Sequence, residues 1–470
     1  MDFDKRKIAV LGLGKSGAAL AKKLSELGAT VLISDSQVPK RLEEYLAELK
    51  PLGVEIEVGG HSPRVLEADL IAVSPGVSVF HPMIQEALHK GIKVMGEVEI
   101  AWRLAPAPFV AVTGTNGKST TVTLIDRMLG KRSILAGNIG NPLVAEVGCA
   151  PADGYVVAEI SSFQLETVYD FAPHVAVLTN FTTDHLDRHK SMGEYYAAKA
   201  RLFARMGPKD LAVFSADDPG AVQMSEQLRQ GSLPEWIPEY PAPACPACPR
   251  IMTFSVRGEV ESGSWLKDGW VYYRDQGLAE RLFRWDFPGL PGSHNQSNAL
   301  AAVAVARSLG VSAGECEEAL RSHAPLHHRL QQVRELRGVI YVDDSKGTNP
   351  DAVVAAICAY DRPVVLIAGG KDKGVDVRGM MKTVSERVRH LLLIGEAAGR
   401  FAAEAAKAGV SNIHRCASLQ DAVQLAAGLA QSGDAVVLSP ACSSFDMFNS
   451  AEERGDLFVQ YVNSLDGSEV

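Results

Sequence analysis

The chain has 470 residues, of which 46% are hydrophobic and 22% charged, a globular balance; at roughly 100–200 residues per domain, three domains are expected. A formal net charge of −9 and the lack of a dense Lys/Arg run argue against nucleic acid as a partner. No stretch approaches the ~20 apolar residues of a membrane helix, and the apolar run Ile8-Ala9-Val10-Leu11 is too short for a signal peptide, so a cytoplasmic protein without membrane insertion is expected.

The first region, residues 1–96, alternates strand-like and helix-like patterns. Residues 7–11, 30–34 and 70–74 read as strands, and 18–27 as a helix, which together predict a parallel sheet with helices on its faces. Between the first strand and that helix lies Gly12-Leu13-Gly14-Lys15-Ser16-Gly17, and Asp35 ends the next strand. Taken alone this is a dinucleotide-type turn, with the acid on a ribose hydroxyl, and it favours an NAD-dependent oxidoreductase. The same geometry suits the pyrophosphate of a UDP-sugar on a helix N-terminus. Ser74-Pro75-Gly76-Val77 adds a second glycine turn that would sit beside it.

A second α/β region, punctuated by Ala105-Pro106-Ala107-Pro108 ahead of its first strand, covers residues 97–325. It opens with the sharpest local signal, Val112-Thr113-Gly114-Thr115-Asn116-Gly117-Lys118-Ser119-Thr120, where a strand runs into a glycine turn and a helix over 121–129. Glycines let backbone N–H groups approach phosphate oxygens, and a helix N-terminus adds positive potential. Lys118 would lie along the β/γ-phosphates of ATP, and the hydroxyl of Ser119 or Thr120 would reach Mg²⁺. The spacing is a shortened variant of the usual loop, with two residues rather than four between Gly114 and Gly117.

Glu159 follows a strand-like stretch, 155–158, and a carboxylate there suits an oxygen-seeking Mg²⁺. Further on, His185, Asp187 and His189 match no common zinc spacing, so zinc is set aside there. Ser191-Met192-Gly193-Glu194 has the form of a capping box and predicts a helix carrying Lys199, which by itself reads as a solvated lysine. The stretch 233–249 is Pro-rich; its Cys245-Pro246-Ala247-Cys248 has no second pair to complete a zinc site and reads as surface loop. The seven cysteines, mostly single, fit reduced thiols. Interleaved aromatic and polar residues over 250–288 suggest short antiparallel strands, and His294-Asn295-Gln296-Ser297-Asn298 precedes an Ala-rich helix expected over 299–309, with Asn298 as a candidate N-cap. The last region, 326–470, places strand-like runs at 339–342, 364–368, 391–394 and 435–438 between helical stretches, a third and parallel sheet.

Thr113-Gly114-Thr115-Asn116-Gly117-Lys118-Ser119-Thr120 resembles the nucleotide loop of the Mur ligases and folylpolyglutamate synthetases, which form an amide from a carboxylate, an amine and ATP. Asn180-Phe181-Thr182-Thr183-Asp184-His185, His328-Arg329, Asp343-Asp344-Ser345-Lys346-Gly347-Thr348-Asn349 and Ser439-Pro440-Ala441-Cys442-Ser443-Ser444 resemble further Mur ligase motifs, and the likeness covers nearly the whole chain. It implies an α/β fold of three domains: an N-terminal Rossmann-like domain, a central P-loop ATPase-like domain and a C-terminal Rossmann-like domain. For the site it implies Gly114, Thr115, Asn116, Gly117, Lys118, Ser119 and Thr120 on ATP, with Asn295 and Asn298 near adenine and ribose and Arg329 on the phosphates. Two Mg²⁺ ions are implied, held through Ser119, Glu159, His185 and a carbamate on Lys199, with His189 supporting the loop. Lys118, His185 and Lys199 are the implied catalytic residues.

Folylpolyglutamate synthetases lack such an N-terminal domain and other Mur ligases differ in it; taken together the features most closely resemble Mur ligases that add D-glutamate to UDP-N-acetylmuramoyl-L-alanine in peptidoglycan precursor synthesis. Gly14, Lys15, Ser16, Asp35, Ser36, Gly76, Asn138 and Ser161 would then hold the UDP-substrate, and Lys346, Thr348, Lys373 and Ser444 the incoming amino acid. Cys442 has no evident base among its neighbours, against a nucleophilic role. Two departures stand out: the long 233–249 stretch, and Ala451 where an aromatic is expected near D-glutamate. The rival readings are the oxidoreductase above and a non-enzymatic nucleotide switch.

Overall fold

The computed structural model describes residues 2–38, 42–185, 188–235 and 248–465. It divides into two compact units: Met1–Phe181, Arg188–Trp285 and Ser297–Ala319 form the first, and Thr182–Asp187, Asp286–Gln296 and Leu320–Val470 the second. Most of the 233–249 stretch, with Cys245, lies outside the described residues, as does Asp187.

The first unit contains two sheets. Strands β1 (Lys7–Leu11), β2 (Thr30–Asp35), β3 (Glu55–Val58), β4 (Leu70–Val73) and β5 (Lys93–Gly96) form a parallel sheet in the order β3-β2-β1-β4-β5. Ile8, Ala9, Val10 and Leu11 are all buried, as expected of a strand covered on both faces. The following helix begins at Lys15, three residues earlier than its apolar pattern suggests, with Gly14 as its N-cap. A Cβ on Gly17 would lie 1.8 Å from the Gly12 carbonyl oxygen, so only glycine lets the helix start this close to the strand.

The second sheet has nine strands: β6 (Phe109–Thr113), β7 (Ser133–Gly137), β8 (Tyr155–Glu159), β9 (Val175–Leu178), β10 (Leu211–Ser215), β11 (Arg250–Ser255), β12 (Gly263–Lys267), β13 (Trp270–Arg274) and β14 (Glu280–Arg284), ordered β14-β13-β12-β11-β10-β9-β6-β8-β7. The antiparallel expectation over 250–288 holds only for β12–β14; β11 continues the parallel sheet beside β10, and β12 is parallel to β11. Helix Pro219–Arg229 lies between β10 and β11 and supplies the crossover that parallel pairing needs. The fully buried β6 runs between β8 and β9, so the chain leaves its C-terminal end at a switch in strand order, where open α/β sheets bind ligands.

Glu97, at the start of helix Glu97–Leu104, is buried and accepts a 3.0 Å hydrogen bond from the Val144 amide. Burial pushes its carboxyl up to about 7, against the pull of that amide. A carboxyl with a raised folded-state pKa binds its proton more tightly folded than unfolded, so its stabilising share is complete below the ordinary Glu value and declines as pH rises toward 7. The melting temperature of the native chain is therefore expected to fall relative to Glu97→Gln between pH 5 and about 8; a constant difference across thermal melts in that range would contradict it.

The second unit holds β15 (Gln331–Leu336), β16 (Val339–Asp343), β17 (Val364–Gly369), β18 (Val388–Ile394), β19 (Ile413–Arg415) and β20 (Ala435–Leu438), ordered β15-β16-β20-β17-β18-β19. All pairs are parallel except β15–β16, a hairpin whose turn residues Arg337 and Gly338 both have positive φ, 54° and 75°. The polar Gln331-Gln332 start hid β15 from apolar patterning. The Ala-rich helix spans Ser293–Ser308, so Asn295 and Asn298 lie within it and Asn298 is not an N-cap.

Candidate active site

The β6 strand delivers Gly114 (φ 149°) and Gly117 (φ 83°) to a tight turn, and Gly117 caps helix Lys118–Leu129. A Cβ at Gly114 would fall 1.9 Å from Thr179 Oγ1, and one at Gly117 2.1 Å from Asn298 Oδ1; glycine is required at both positions. The two residues between them are pinned from β9's end. The Asn116 amide donates to Asn180 Oδ1 (2.9 Å), and the Asn116 carbonyl accepts from Thr179 Oγ1 (2.6 Å) and Asn180 Nδ2 (3.0 Å). Thr115 Oγ1 lies 3.2 Å from the Tyr195 hydroxyl. Thr179, Asn180 and Tyr195 received no role from the sequence; their one available signal was position, at a strand's C-terminal end or on the helix bearing Lys199.

Lys118 Nζ donates to the carbonyls of Gly114 and Thr115, each at 2.8 Å. Lys199 overturns its reading as a solvated lysine. It lies on helix Met192–Ala200, is 1% exposed, donates to Gly114 O at 2.8 Å and Thr113 Oγ1 at 3.4 Å, and sits 4.7 Å from the Tyr195 ring centroid. Two ammonium groups thus share one carbonyl of the glycine turn, beside Ser119 and Thr120 in the first turn of a helix, an arrangement that attracts phosphate. The predicted cap is present, with a shifted return arm: Ser191 Oγ accepts from the Glu194 amide, whereas Glu194 Oε2 accepts from the Lys190 amide.

Glu159 ends β8 and is 2% exposed. Its Oε1 accepts from Asn138 Nδ2 at 2.7 Å, while its buried Oε2 has no hydrogen-bond partner among the described residues. A buried carboxylate oxygen without a donor is costly, and a cation is the natural complement. The same bond turns Asn138 toward Glu159. Ser161 forms a capping box with Gln164 at helix Ser162–Leu165, and His189 Nε2 lies 3.0 Å from Ser162 Oγ, consistent with loop support.

In the N-terminal turn, both Asp35 oxygens accept backbone amides, from Leu13 (2.6 Å) and Gln37 (2.7 Å). Asp35 therefore braces the glycine turn against the loop after β2. Lys15 Nζ donates to Gly140 O (2.7 Å) after β7, and Arg188 reaches the carbonyls of Gly76 (3.3 Å) and Val77 (3.0 Å) while ion-paired to Glu166 (2.6 Å). Gly14 caps the first helix, and Ser36 is exposed just past β2.

The second unit brings His185, Thr348 and Lys373 around Asp184, a residue the sequence left without a role. Lys373 Nζ donates to Asp184 Oδ1 (3.3 Å) and Thr348 O (3.1 Å), Asn349 Nδ2 donates to Asp184 Oδ2 (3.2 Å), and His185 Nε2 lies 3.7 Å from the same oxygen. Burial would raise the Asp184 carboxyl, but His185 and Lys373 hold it below the usual carboxylate range. Lys346 pairs with Glu452 at 3.1 Å, burial pushes the Asp344 carboxyl up to about 7 against the opposing pull of the Ser439 hydroxyl and Arg329, and Asn295 Nδ2 donates to Pro291 O at 2.8 Å. The buried Ser444 belongs to the loop held by Arg454, whose guanidinium contacts Ser345 and the Cys442 carbonyl. Burial pushes the Cys442 thiol up to about 12, against a thiolate nucleophile. Ala451 opens helix Ala451–Asn463, and its carbonyl accepts from Ser345 Oγ at 2.7 Å.

Comparison with known proteins follows this division of labour. The family model for the Mur ligase MurD-like N-terminal domain matches residues 6–96, that for the Mur ligase middle domain 112–236, and that for the Mur ligase glutamate ligase domain 328–442. The chain is 44% identical over 468 residues to the UDP-N-acetylmuramoylalanine–D-glutamate ligase of Pelotomaculum thermopropionicum, covering 99% of each. The chain belongs to the Mur ligase family. Another relative in this family, from Caldanaerobacter subterraneus and of the same name, is 38% identical over 471 residues, with 99% of this chain and all of that one covered. The fold of a Mur ligase is matched by the crystal structure of UDP-N-acetylmuramate-alanine ligase from Thermotoga maritima, at a TM-score of 0.58 and 20% identity, covering 98% and 99% of the two chains. The Mur ligase domains thus number three, as expected, and the oxidoreductase and switch readings are not favoured. Among the described residues no helix is long and apolar enough to cross a membrane.

Proposed function

We propose that this Mur ligase uses ATP to join D-glutamate to UDP-N-acetylmuramoyl-L-alanine, in the cytoplasm, as a step of peptidoglycan precursor synthesis. The observation that carries the reading is 44% identity to a D-glutamate ligase over an alignment that covers 99% of the chain. The γ-phosphoryl group passes from ATP to the substrate carboxylate, and Lys118 offsets charge on the phosphate oxygens. The amine of D-glutamate then attacks the acyl carbon and gives up a proton. The tetrahedral adduct collapses with loss of phosphate, leaving the amide.

The other roles are those the family resemblance implies. Gly114, Thr115, Asn116, Gly117, Ser119 and Thr120 cradle the triphosphate, with Asn298 packed on Gly117 and Asn295 and Arg329 as further nucleotide contacts. Mg²⁺, when bound, would neutralise phosphate charge; the unpartnered Glu159 oxygen and the Ser119 hydroxyl fit one ion, and the His185 imidazole suits a second. A carbamate on Lys199 would convert the buried cation into an anion that helps position Mg²⁺. Gly14, Lys15, Ser16, Ser36, Gly76, Asn138 and Ser161 serve the UDP-substrate, with Asp35 bracing their turn, and Lys346, Thr348, Lys373 and Ser444 serve the amino acid.

Purified protein given ATP, the UDP-muramoyl substrate and a panel of amino acids should release phosphate with D-glutamate and yield a product heavier by one glutamyl residue. Equal release without the muramoyl nucleotide would defeat the assignment. For the carbamate, protein equilibrated with ¹³C-bicarbonate should show a carbamate carbon resonance that Lys199→Ala removes; an identical spectrum in that variant would exclude modification at Lys199.

A further inference from the structure

The second unit gathers a set of donors to which the proposed function assigns no role. His327, His328 and Asp456 each present one ligand atom, all within 4.8 Å of one another. We infer that these three residues form a binding site for one divalent ion of the zinc class.

The separations suit such an ion. His327 Nδ1 is 3.3 Å from His328 Nε2, and His328 Nε2 is 3.6 Å from Asp456 Oδ1. Ligands about 2.0–2.1 Å from a tetrahedral zinc stand about 3.3 Å apart, so the donors are nearly in place. Two imidazoles and a carboxylate select zinc, nickel, cobalt or copper over magnesium, which prefers oxygen.

Three features hold the His328 ring in its position. Neighbouring side chains on an extended strand point apart, but His328 has φ 60°, and its ring centroid lies 4.7 Å from that of His327. His328 Nδ1 is 2.6 Å from the wholly buried Asp343 carboxylate, which fixes the proton on Nδ1 and turns the Nε2 lone pair toward His327 and Asp456. A histidine ligand backed by a carboxylate is the usual support of a metal-bound imidazole. Finally, Gly455 stands within helix Ala451–Asn463, where glycine is unfavourable; a Cβ there would lie 2.1 Å from His328 Nδ1. The helix gives up helix propensity to admit the ring. Exposed His327 and Asp456 leave the ion an entry path and an open coordination position.

The test uses the full chain carrying Cys245→Ser and Cys248→Ser, so that the cysteine pair cannot take up zinc, stripped with chelator and kept in excess Mg²⁺ to fill oxygen-rich sites. Calorimetric titration with Zn²⁺ should find one equivalent bound, with affinity at least about tenfold lower in both His327→Ala and Asp456→Ala. Zinc should raise the melting temperature of the parent and not of His327→Ala. Absence of zinc uptake by the parent, or unchanged affinity in either variant, would overturn the site.

Discussion

Lys118→Ala is expected to lower turnover by about 10³-fold or more, while binding of the UDP-substrate stays measurable. The lysine folds over the glycine turn at 2.8 Å from two of its carbonyls, where a triphosphate would meet its charge. Positioned cations that offset transition-state charge in phosphoryl transfer are worth several orders of magnitude. The N-terminal turn at Gly12–Gly17 is a separate element, braced by Asp35 and built without Lys118, so the muramoyl nucleotide should still bind. Steady-state phosphate release and calorimetry with the UDP-substrate read the two effects separately. Unchanged turnover would remove Lys118 from the chemistry.

Arg454→Ala is expected to destabilise the second unit by about 3–5 kcal/mol and to raise KM for D-glutamate. Arg454 is wholly buried, and burial lowers its pKa to about 10. Its guanidinium donates to Ser345 Oγ (2.9 Å), Ser345 O (2.8 Å) and Cys442 O (3.2 Å). Alanine would leave a large void and strand those acceptors without donors. The two loops it ties are those of Lys346 and Thr348 and of Ser444, so amino-acid affinity should suffer alongside stability. A melting temperature equal to that of the native chain would show that the loops hold without it.

Some of this was legible from residues alone, because the signals were local. Ile8-Ala9-Val10-Leu11 and the β6 run mark buried parallel strands, and Gly-x-x-Gly-Lys-Ser between strand and helix marks a phosphate turn. Other features depended on tertiary context. Nothing in Ala197-Ala198-Lys199-Ala200 says that the lysine is buried; that follows from packing helix Met192–Ala200 so that its ammonium meets Gly114. Asp184 and Arg454 acquire meaning only through partners far away in sequence, Lys373 and Asn349 for one, Ser345 and Cys442 for the other. The polar strand β15 escaped patterning because an edge strand can face water. Helix Ser293–Ser308 began earlier than its alanines because Ser, His, Asn and Gln at its start carry no apolar period.

The acyl phosphate is tested most directly by following the oxygen atoms of the substrate carboxylate. With UDP-N-acetylmuramoyl-L-alanine labelled with ¹⁸O in that carboxylate, and ATP and D-glutamate added, the released phosphate should carry one labelled oxygen. Full turnover with unlabelled phosphate would contradict transfer of the γ-phosphoryl group to the carboxylate.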